Sequence, residues 1–318
     1  MNALQLRWFD RDRRVGAHEA AAAQMKRRRM LPGLFATATA ACATVVLLVA
    51  AGGSRGAPLS AAATRTSSFP STTLESRVHF LVHLPAGYAT SAKRYPVIYF
   101  LHGLPADPDS YQSLSWLTTA LDQTGREAIL VAPQGTRRPS GDPEYHDWGP
   151  GKNWEMALAV ELPAYIDRHF RTIRNRTGRA IVGLSAGGYG ASIFGVHHPA
   201  KFAVIESWSG YFHPTDPTGE KPLDLGTAAL NADASVHTLV PKLAAQIARY
   251  PTFVGFYVGA QDPIFAPENL QLARELTAAG IPYRFAVYSG AHTTSLWQQH
   301  ATAWLALALA HLAPAVRA

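Results

Sequence analysis

The chain alternates between short apolar runs and longer segments with helical spacing of apolar residues. Residues 77–84 (RVHFLVHL) place Val78, Phe80, Val82 and Leu84 at alternate positions on one face, which predicts a half-buried strand. Further apolar runs are rich in β-branched and aromatic residues, which is typical of strands covered on both faces. These runs are residues 96–101, 128–132, 180–184, 202–205, 253–258 and 283–288.

Helical patterns separate the strands and lie at residues 153–170, 187–197, 234–248, 267–279 and 295–312. This alternation predicts an α/β fold, with a mostly parallel central sheet and helices on both faces. We predict a single catalytic domain over residues 73–318, preceded by a Ser-, Ala- and Thr-rich linker at 54–72. Long loops at 141–153 and 211–231 are the expected places for a substrate site.

Positive charge is concentrated at the N-terminus. The net charge is +7, and residues 1–30, a basic tail with eight Lys/Arg against three Asp/Glu, contribute +5 of it. The remaining residues carry only +2. Since a basic surface of the folded domain is therefore not indicated, we predict no nucleic-acid partner.

Residues 31–53 form an uncharged apolar segment directly after this tail. A basic region before an apolar segment is typical of an export signal, and the length also suits a membrane anchor. The basic tail is long for a cleaved signal peptide, so either translation begins at Met25 or the segment is an uncleaved anchor. We predict a secreted or extracytoplasmic protein, with a possible membrane tether through residues 31–53.

Cys42, the only cysteine, lies inside this segment, so the exported part has no disulfide and no thiolate metal site. His197 and His198 stand at a predicted helix end, and no carboxylate partner is evident at metal-ligand spacing. We expect neither a metal nor another cofactor.

Ser185 lies at the junction of the strand 180–184 and the helix that follows, within the pattern Gly183-x-Ser185-x-Gly187. This is the pattern of a nucleophile elbow, in which a tight turn holds the serine in a strained backbone conformation. Bulky residues two positions before or after the serine would clash, which explains both glycines. Ser185 is the candidate nucleophile.

A serine nucleophile needs a histidine base and an acid that orients it. In this kind of fold the acid and the histidine follow the serine along the chain, on loops after later strands. Asp262 follows the strand 253–258, and His292 follows the strand 283–288. His300 and His311 fall within a predicted helix and are weaker candidates.

Two backbone N–H groups are needed to stabilise the oxyanion of the reaction. Ala186, directly after the nucleophile, is predicted to supply one. Leu104, in the His102-Gly103 loop after an early strand, is predicted to supply the other. His102 itself is interpreted as a structural histidine that braces this loop.

From about Ser71 to Leu312 the chain resembles the putative-esterase family of α/β-hydrolases, which includes esterase D, feruloyl esterases and secreted mycolyltransferases. The stretches that carry the resemblance include RYPVIYFLHG, AIVGLSAGGYGAS, YVGAQDP and SGAHTTSLW. The resemblance implies the α/β-hydrolase fold and a catalytic triad at Ser185, Asp262 and His292.

The run DWGPGKNWEMALAVELPAYI is similar to the corresponding region of the mycolyltransferases. Those relatives commonly carry Glu as the triad acid, and they differ after the early strand, where this chain has His-Gly-Leu-Pro. The resemblance therefore leaves the substrate open.

Three functions follow as hypotheses. The first is an exported serine esterase that forms an acyl-enzyme; the second is an acyltransferase that moves the acyl group to a sugar or lipid hydroxyl. The third is a catalytically silent binding protein on the same fold. The expected ligand is a small-molecule, lipid or sugar ester, and Tyr111, Trp148 and Trp208 are the predicted substrate-binding residues.

Overall fold

The central sheet has eight strands. A computed structural model describes residues 61–139, 145–215 and 221–317 of the chain. The strands are β1 (Ala63–Ser71), β2 (Ser76–Leu84), β3 (Val97–Leu101), β4 (Ile129–Pro133), β5 (Arg179–Leu184), β6 (Val204–Trp208), β7 (Phe253–Gly259) and β8 (Arg284–Tyr288). Two further strands of two residues each, Lys93–Arg94 and Val316–Arg317, pair with each other.

The strand order across the sheet is β1-β2-β4-β3-β5-β6-β7-β8. β1 pairs antiparallel with β2, and β2 pairs antiparallel with β4. Every other neighbouring pair is parallel, from β4 to β8. The mostly parallel sheet is therefore confirmed, and the carboxyl ends of β3, β5, β7 and β8 share one edge, where ligand sites of open α/β sheets lie.

Helices cover both faces of this sheet. They are α1 (Ser115–Gln123), α2 (154–169), α3 (Ala186–His197), α4 (Ala228–Asp233), α5 (Val236–Ile247), α6 (Phe265–Ala278) and α7 (Thr294–Ala310). Within α2, a π-helical segment at Ala157–Glu161 separates the α-helical Trp154–Met156 and Leu162–His169.

The apolar core forms two layers, one on each face. β3 illustrates the division, because alternate side chains of a strand point to opposite faces. Tyr99 packs in the layer that contains residues of α2, α3, α5 and α6, whereas Ile98 and Phe100 pack with residues of α1 and α7. All three side chains are buried. Continuous apolar sequence in the middle strands is thus the consequence of burial on both faces.

The predicted linker at residues 54–72 is wrong from Ala63 onward, because Ala63–Ser71 forms β1. This edge strand pairs with β2 along its whole length, yet most of its side chains are exposed; Phe69 and Ser71 are buried. An edge strand exposed on both faces has the polar Ser- and Thr-rich composition that linkers also show, so composition alone did not separate the two.

β6 extends beyond the predicted strand at residues 202–205 and ends at Trp208. The apolar run is interrupted by Glu206, a carboxyl that the sequence pattern places outside a buried strand. In the structure Glu206 is fully buried between Trp208 and Tyr257, whose Nε1 and hydroxyl groups donate hydrogen bonds to it at 3.1 and 3.2 Å.

No helix within the described ranges combines the length and the apolar character needed to cross a membrane. The predicted basic tail, the apolar segment at 31–53 and the first part of the predicted linker lie outside those ranges.

Candidate active site

Ser185 occupies a sharp turn between β5 and α3. Its backbone has φ 55° and ψ −121°, a conformation that residues with a side chain rarely adopt. The Ser185 N–H donates to the carbonyl oxygen of Trp208 at 2.9 Å, which anchors the turn to the neighbouring strand. Such local strain is characteristic of functional sites, since the surrounding structure must hold it in place.

The glycines around Ser185 are required by close backbone packing. A Cβ atom on Gly183 would overlap the carbonyl group of Gly187, and one on Gly187 would overlap the carbonyl oxygen of Leu101. A Cβ on Gly188 would lie 2.5 Å from the Ser207 Oγ, so this glycine permits close packing of α3 on β6. The elbow pattern therefore reflects steric necessity at each of these positions.

Three predicted residues meet at the carboxyl edge of the sheet. The His292 Nε2 atom lies 3.0 Å from the Ser185 Oγ, and the His292 Nδ1 atom lies 2.8 Å from Asp262 Oδ2. Asp262 is 2 % exposed, and its Oδ1 accepts hydrogen bonds from the N–H groups of Ile264 and Phe265 at 3.2 and 3.0 Å. This is the geometry of a serine nucleophile, a base and an orienting acid.

Two aromatic side chains hold His292 and were not predicted. The Phe265 ring lies 5.0 Å from the imidazole, and the Trp297 ring meets it edge-on, also at 5.0 Å between centroids. Trp297 in turn donates from Nε1 to the Oγ of the buried Ser209 at 3.0 Å. Trp297 lies in the SGAHTTSLW stretch, but its contact with the imidazole depends on how α7 begins.

The two predicted oxyanion donors flank the nucleophile. Ala186 is the first residue of α3, where a backbone N–H has no acceptor within its own helix. The loop after β3 passes directly over the serine, since a Cβ on Gly103 would lie 3.0 Å from the Ser185 Cβ. Leu104 follows Gly103 in this loop. Both positions are therefore compatible with a hole for an oxyanion.

His102 braces the same loop. It is buried, and its Nδ1 lies 3.0 Å from the carbonyl oxygen of Gly103. Burial lowers the pKa of this imidazole, which favours the neutral form, although the bond to Gly103 acts in the opposite direction. The His102 carbonyl oxygen accepts a 2.5 Å hydrogen bond from the Tyr145 hydroxyl, which ties the loop to the segment that begins at residue 145.

The structure contradicts two of the three predicted substrate-binding residues. Tyr111 is 4 % exposed and Trp208 is fully buried, and both belong to the core layer of α1 and α7. Large aromatic side chains gain most by burial, which is why their presence near a site in sequence is weak evidence for substrate contact. Trp148 is 39 % exposed and remains a candidate.

A row of aromatic rings connects the Trp148 loop to the candidate base. Trp148 packs edge-on against His146, which contacts Tyr189; Tyr189 stacks on Tyr211. Tyr211 then contacts Phe265, the residue beside His292. The two long loops predicted as substrate loops thus pack into one aromatic layer next to the site.

A carboxylate lies beside His197 and His198, although none is evident at metal-ligand spacing in the sequence. The Oε1 atom of Glu155 lies 2.8 Å from His197 Nδ1 and 2.8 Å from His198 Nε2. Burial opposes ionisation of Glu155, but these two hydrogen bonds outweigh it and lower the pKa of the carboxyl. Glu155 is more than 40 positions away in sequence, so residue spacing did not reveal the contact.

The strand order, the strained serine after β5 and the loops after β7 and β8 together define the class of the protein: it has the α/β-hydrolase fold. At the level of sequence, the model of the family described as Putative esterase matches residues 71–307. The chain belongs to this family, as the resemblance in the sequence predicted.

Curated relatives match the chain over shorter stretches. Esterase Rv1288 of Mycobacterium tuberculosis is 35% identical over 130 residues, which covers 41% of this chain and 28% of that protein. The diacylglycerol acyltransferase/mycolyltransferase Ag85A of Mycobacterium leprae is 31% identical over 140 residues, covering 41% of this chain and 40% of that one. The chain therefore spans less than half the length of these relatives.

Solved structures extend the similarity of fold to most of the domain. A ferulic acid esterase superimposes with a TM-score of 0.66 at 22% identity, covering 79% of this chain and 98% of that one. The S-formylglutathione hydrolase FrmB of Staphylococcus aureus gives a TM-score of 0.65 at 20% identity, covering 78% of this chain and all (100%) of that one. At such identities the likeness concerns the fold.

Proposed function

We propose that the protein is a serine esterase that hydrolyses a carboxylic ester through Ser185, His292 and Asp262. The observation that carries the proposal is the continuous hydrogen-bonded row from the Ser185 Oγ through the imidazole to the Asp262 carboxylate, at 3.0 and 2.8 Å. Membership of an esterase family supports the same chemistry.

In the first half-reaction, the Ser185 Oγ attacks the ester carbonyl carbon while its proton passes to His292 Nε2. Asp262 accepts from the Nδ1–H and stabilises the imidazolium that forms. The N–H groups of Ala186 and Leu104 stabilise the oxyanion of the tetrahedral intermediate. When the intermediate collapses, the imidazolium returns the proton to the departing alcohol, which leaves an acyl-enzyme.

Water completes the cycle. His292 removes a proton from the water molecule as its oxygen attacks the acyl carbonyl carbon, and a second tetrahedral intermediate forms at the same oxyanion position. Collapse of this intermediate breaks the bond to the Ser185 Oγ, which takes the proton back from the imidazolium. The carboxylic acid leaves, and the enzyme is restored.

The test uses the purified full chain, a fluorophosphonate probe and a p-nitrophenyl ester. The wild type should react with the probe at Ser185 and release p-nitrophenol, whereas Ser185→Ala should lose labelling and at least about 1,000-fold in kcat. Ser192→Ala is a matched control, because Ser192 lies in the same helix and bonds to the Gly188 carbonyl oxygen. Full activity in Ser185→Ala would refute the proposal, and an unreactive wild type would favour a binding protein.

A second candidate is an acyltransferase with the same three residues, in which a sugar or lipid hydroxyl replaces water. Two observations favour it: relatives with a mycolyltransferase name, and the exposed Trp148 in the stretch that resembles those enzymes. The measurement is product partitioning with increasing concentrations of an alcohol or a trehalose-like sugar. Transfer that exceeds hydrolysis at millimolar acceptor supports the transferase; hydrolysis unaffected by acceptor supports the esterase.

We further propose that residues 31–53 direct the chain out of the cytoplasm, as a cleaved signal or an anchor. The support is the basic tail before an uncharged apolar segment. A reporter that is active only after export, fused behind residue 60, should be active, and Lys/Arg→Glu replacement of residues 26–29 should reduce its activity. Fractionation of the fusion then separates a soluble, cleaved product from a membrane-bound one.

A further inference from the structure

We propose that His213, His237 and Glu268 form a Zn²⁺ site that is separate from the candidate catalytic residues. One potential ligand atom from each of the three side chains lies within 4.8 Å of the other two. Among the residues that the structure describes, this is the group of histidines and carboxylates that comes together in this way. The three positions lie on three different elements.

The ligand types favour zinc over the hard cations. Two imidazole nitrogens and one carboxylate oxygen are a ligand set typical of zinc sites with three protein ligands and one open position. Ca²⁺ and Mg²⁺ prefer oxygen ligands throughout, so this set selects against them. In a tetrahedral zinc site the ligand atoms lie about 3.3 Å apart. The distance from His237 Nε2 to Glu268 Oε1 is already 3.3 Å.

The surroundings of His237 are those of a metal ligand. Its Nε2 faces Glu268, while its Nδ1 lies 2.6 Å from Oε2 of Glu275, about two helical turns further along α6. Zinc-binding histidines commonly donate their second ring N–H to a carboxylate, which fixes the tautomer and the ring orientation. Glu275 therefore acts as an orienting partner that would leave His237 Nε2 available as the ligand.

Glu268 and His213 complete the set. Glu268 Oε1 accepts from the Phe212 backbone N–H at 2.6 Å and lies 2.6 Å from His213 Nδ1. An ion between Glu268 and His213 requires their separation to increase by less than 1 Å, and His213 has the freedom to move, since 31% of its side chain is exposed. The side chains of His237 and Glu268 are both 13% exposed, so His213 is the most accessible of the three.

The position of the site suggests what the ion does. His213 follows β6 in the loop that carries Tyr211 and Phe212, His237 lies in the first turn of α5, and Glu268 lies in the first turn of α6. An ion would thus hold a long loop to two helices. Glu268 is one turn after Phe265, whose ring contacts His292, so the ion braces the framework of the active site without touching the reacting atoms.

Isothermal titration calorimetry of the EDTA-treated full chain with ZnCl₂ tests the proposal. We expect one Zn²⁺ per chain, and a melting temperature about 5 °C higher at a zinc concentration 100 times Kd. MgCl₂ and CaCl₂ should produce neither effect. A wild type that takes up no zinc, or that shows the same thermal shift with MgCl₂, would overturn the proposal.

The variants distinguish a metal site from an ionic cluster. His213→Gln, chosen because the residue is partly exposed, and Glu268→Gln should each weaken zinc binding at least about 100-fold, while Glu275→Gln should weaken it about 10–100-fold. His198→Gln is the matched control, since it also removes one of two histidines that share a carboxylate, and it should bind zinc as the wild type does. Unchanged zinc affinity in His213→Gln would refute the site. Zinc binding is measured without the fluorophosphonate probe, so the zinc site and the proposed esterase function can fail separately.

Discussion

At the scale of single residues, the structure places the predicted nucleophile and acid in the surroundings that these proposed roles require. Ser185 adopts a strained conformation, and Asp262 has one oxygen held by two backbone N–H groups while the other faces His292. Glu206 is the contrasting case: it is a buried carboxyl that accepts hydrogen bonds from Trp208 and Tyr257, has no ion pair among the residues that the structure describes, and takes no part in the proposed reaction.

Asp262→Asn is expected to lower kcat about 10,000-fold with little change in the melting temperature. The amide can still accept the Ile264 and Phe265 N–H groups, but it can present an N–H to His292 Nδ1 and favour the wrong imidazole tautomer. Ester hydrolysis and thermal unfolding measure the two effects. Asp233→Asn, at a side chain that is 63% exposed, is the control. Loss of less than tenfold in kcat would argue against Asp262 as the acid.

Glu206→Gln is expected to reduce the pH dependence of stability. Burial raises the pKa of Glu206 from 4.5 to about 8, although hydrogen bonds from Trp208 and Tyr257 act in the opposite direction. The folded chain therefore holds the proton of Glu206 more tightly than the unfolded chain does. The stability that this proton contributes is complete below pH 4.5 and is lost as the pH rises through 8.

Urea unfolding at pH 5 and pH 9 measures the effect. From pH 5 to pH 9, the free energy of unfolding of Glu206→Gln should rise by about 2–4 kcal/mol relative to that of the wild type. Glu127→Gln is the control, because Glu127 is exposed and pairs with Lys93 at the surface. If the free energies of unfolding of Glu206→Gln and the wild type changed in parallel with pH, the Glu206 carboxyl would not be the group that holds the proton.

At the scale of elements, the junction of β5 with α3 is tightly constrained by close backbone packing. The helix begins directly after Ser185. Its first turn approaches β3 so closely that a Cβ at position 187 would overlap the Leu101 backbone, and a Cβ at position 188 would require the Ser207 side chain to move. Close approach of a helix and a sheet at this point is what brings the serine hydroxyl to the edge shared by the loops after β3, β7 and β8.

Gly187→Ala is expected to destabilise the protein by about 3 kcal/mol or more and to abolish probe labelling, because the added methyl group would overlap the Leu101 carbonyl oxygen. Gly125→Ala is the control. Gly125 has φ 67° with nothing within 4 Å of the added Cβ, so that variant shows the backbone cost alone, about 1–2 kcal/mol. Chemical denaturation compares the two, and equal losses would contradict the steric explanation.

At the scale of the whole molecule, one aromatic group joins α7 to three parallel strands. Trp304 stacks on Tyr257 with centroids 4.8 Å apart, packs on Trp208 at 5.1 Å and donates from Nε1 to the Tyr288 hydroxyl at 3.1 Å. These contacts fix the helix that follows the His292 loop. Trp208 therefore contributes to the stability of the domain rather than to the substrate pocket.

Trp304→Ala is expected to lower the free energy of unfolding by about 3–5 kcal/mol, since it leaves a large cavity in the core layer of α1 and α7. Trp148→Ala, at a side chain that is 39% exposed, should change stability by less than about 0.5 kcal/mol and should instead raise KM. Urea unfolding and ester kinetics separate the two effects. A larger loss of stability in Trp148→Ala than in Trp304→Ala would reverse the assignment of core and surface.

The fold class and the three candidate catalytic positions could be predicted from local sequence. Continuous apolar runs mark strands buried on both faces, and the order of strands and helices implies the parallel sheet. Because parallel strands end at one edge, Ser185, Asp262 and His292 were each identified by the strand that precedes them. Residues 63–71 were not identified as a strand, because an exposed edge strand lacks the apolar pattern.

Contacts between distant segments were decided by the tertiary structure alone. Glu155 contacts His197 and His198, and Glu268 contacts His213 and His237. Each pair is separated by 31 to 55 positions, and no local sequence pattern connects them. The same holds for Tyr111 and Trp208, whose burial depends on which helix covers them. The sequence by itself determined the fold class and the positions of the candidate catalytic residues along the chain. Packing determined which side chains meet, because hydrophobic periodicity specifies a face but not the partner that covers it.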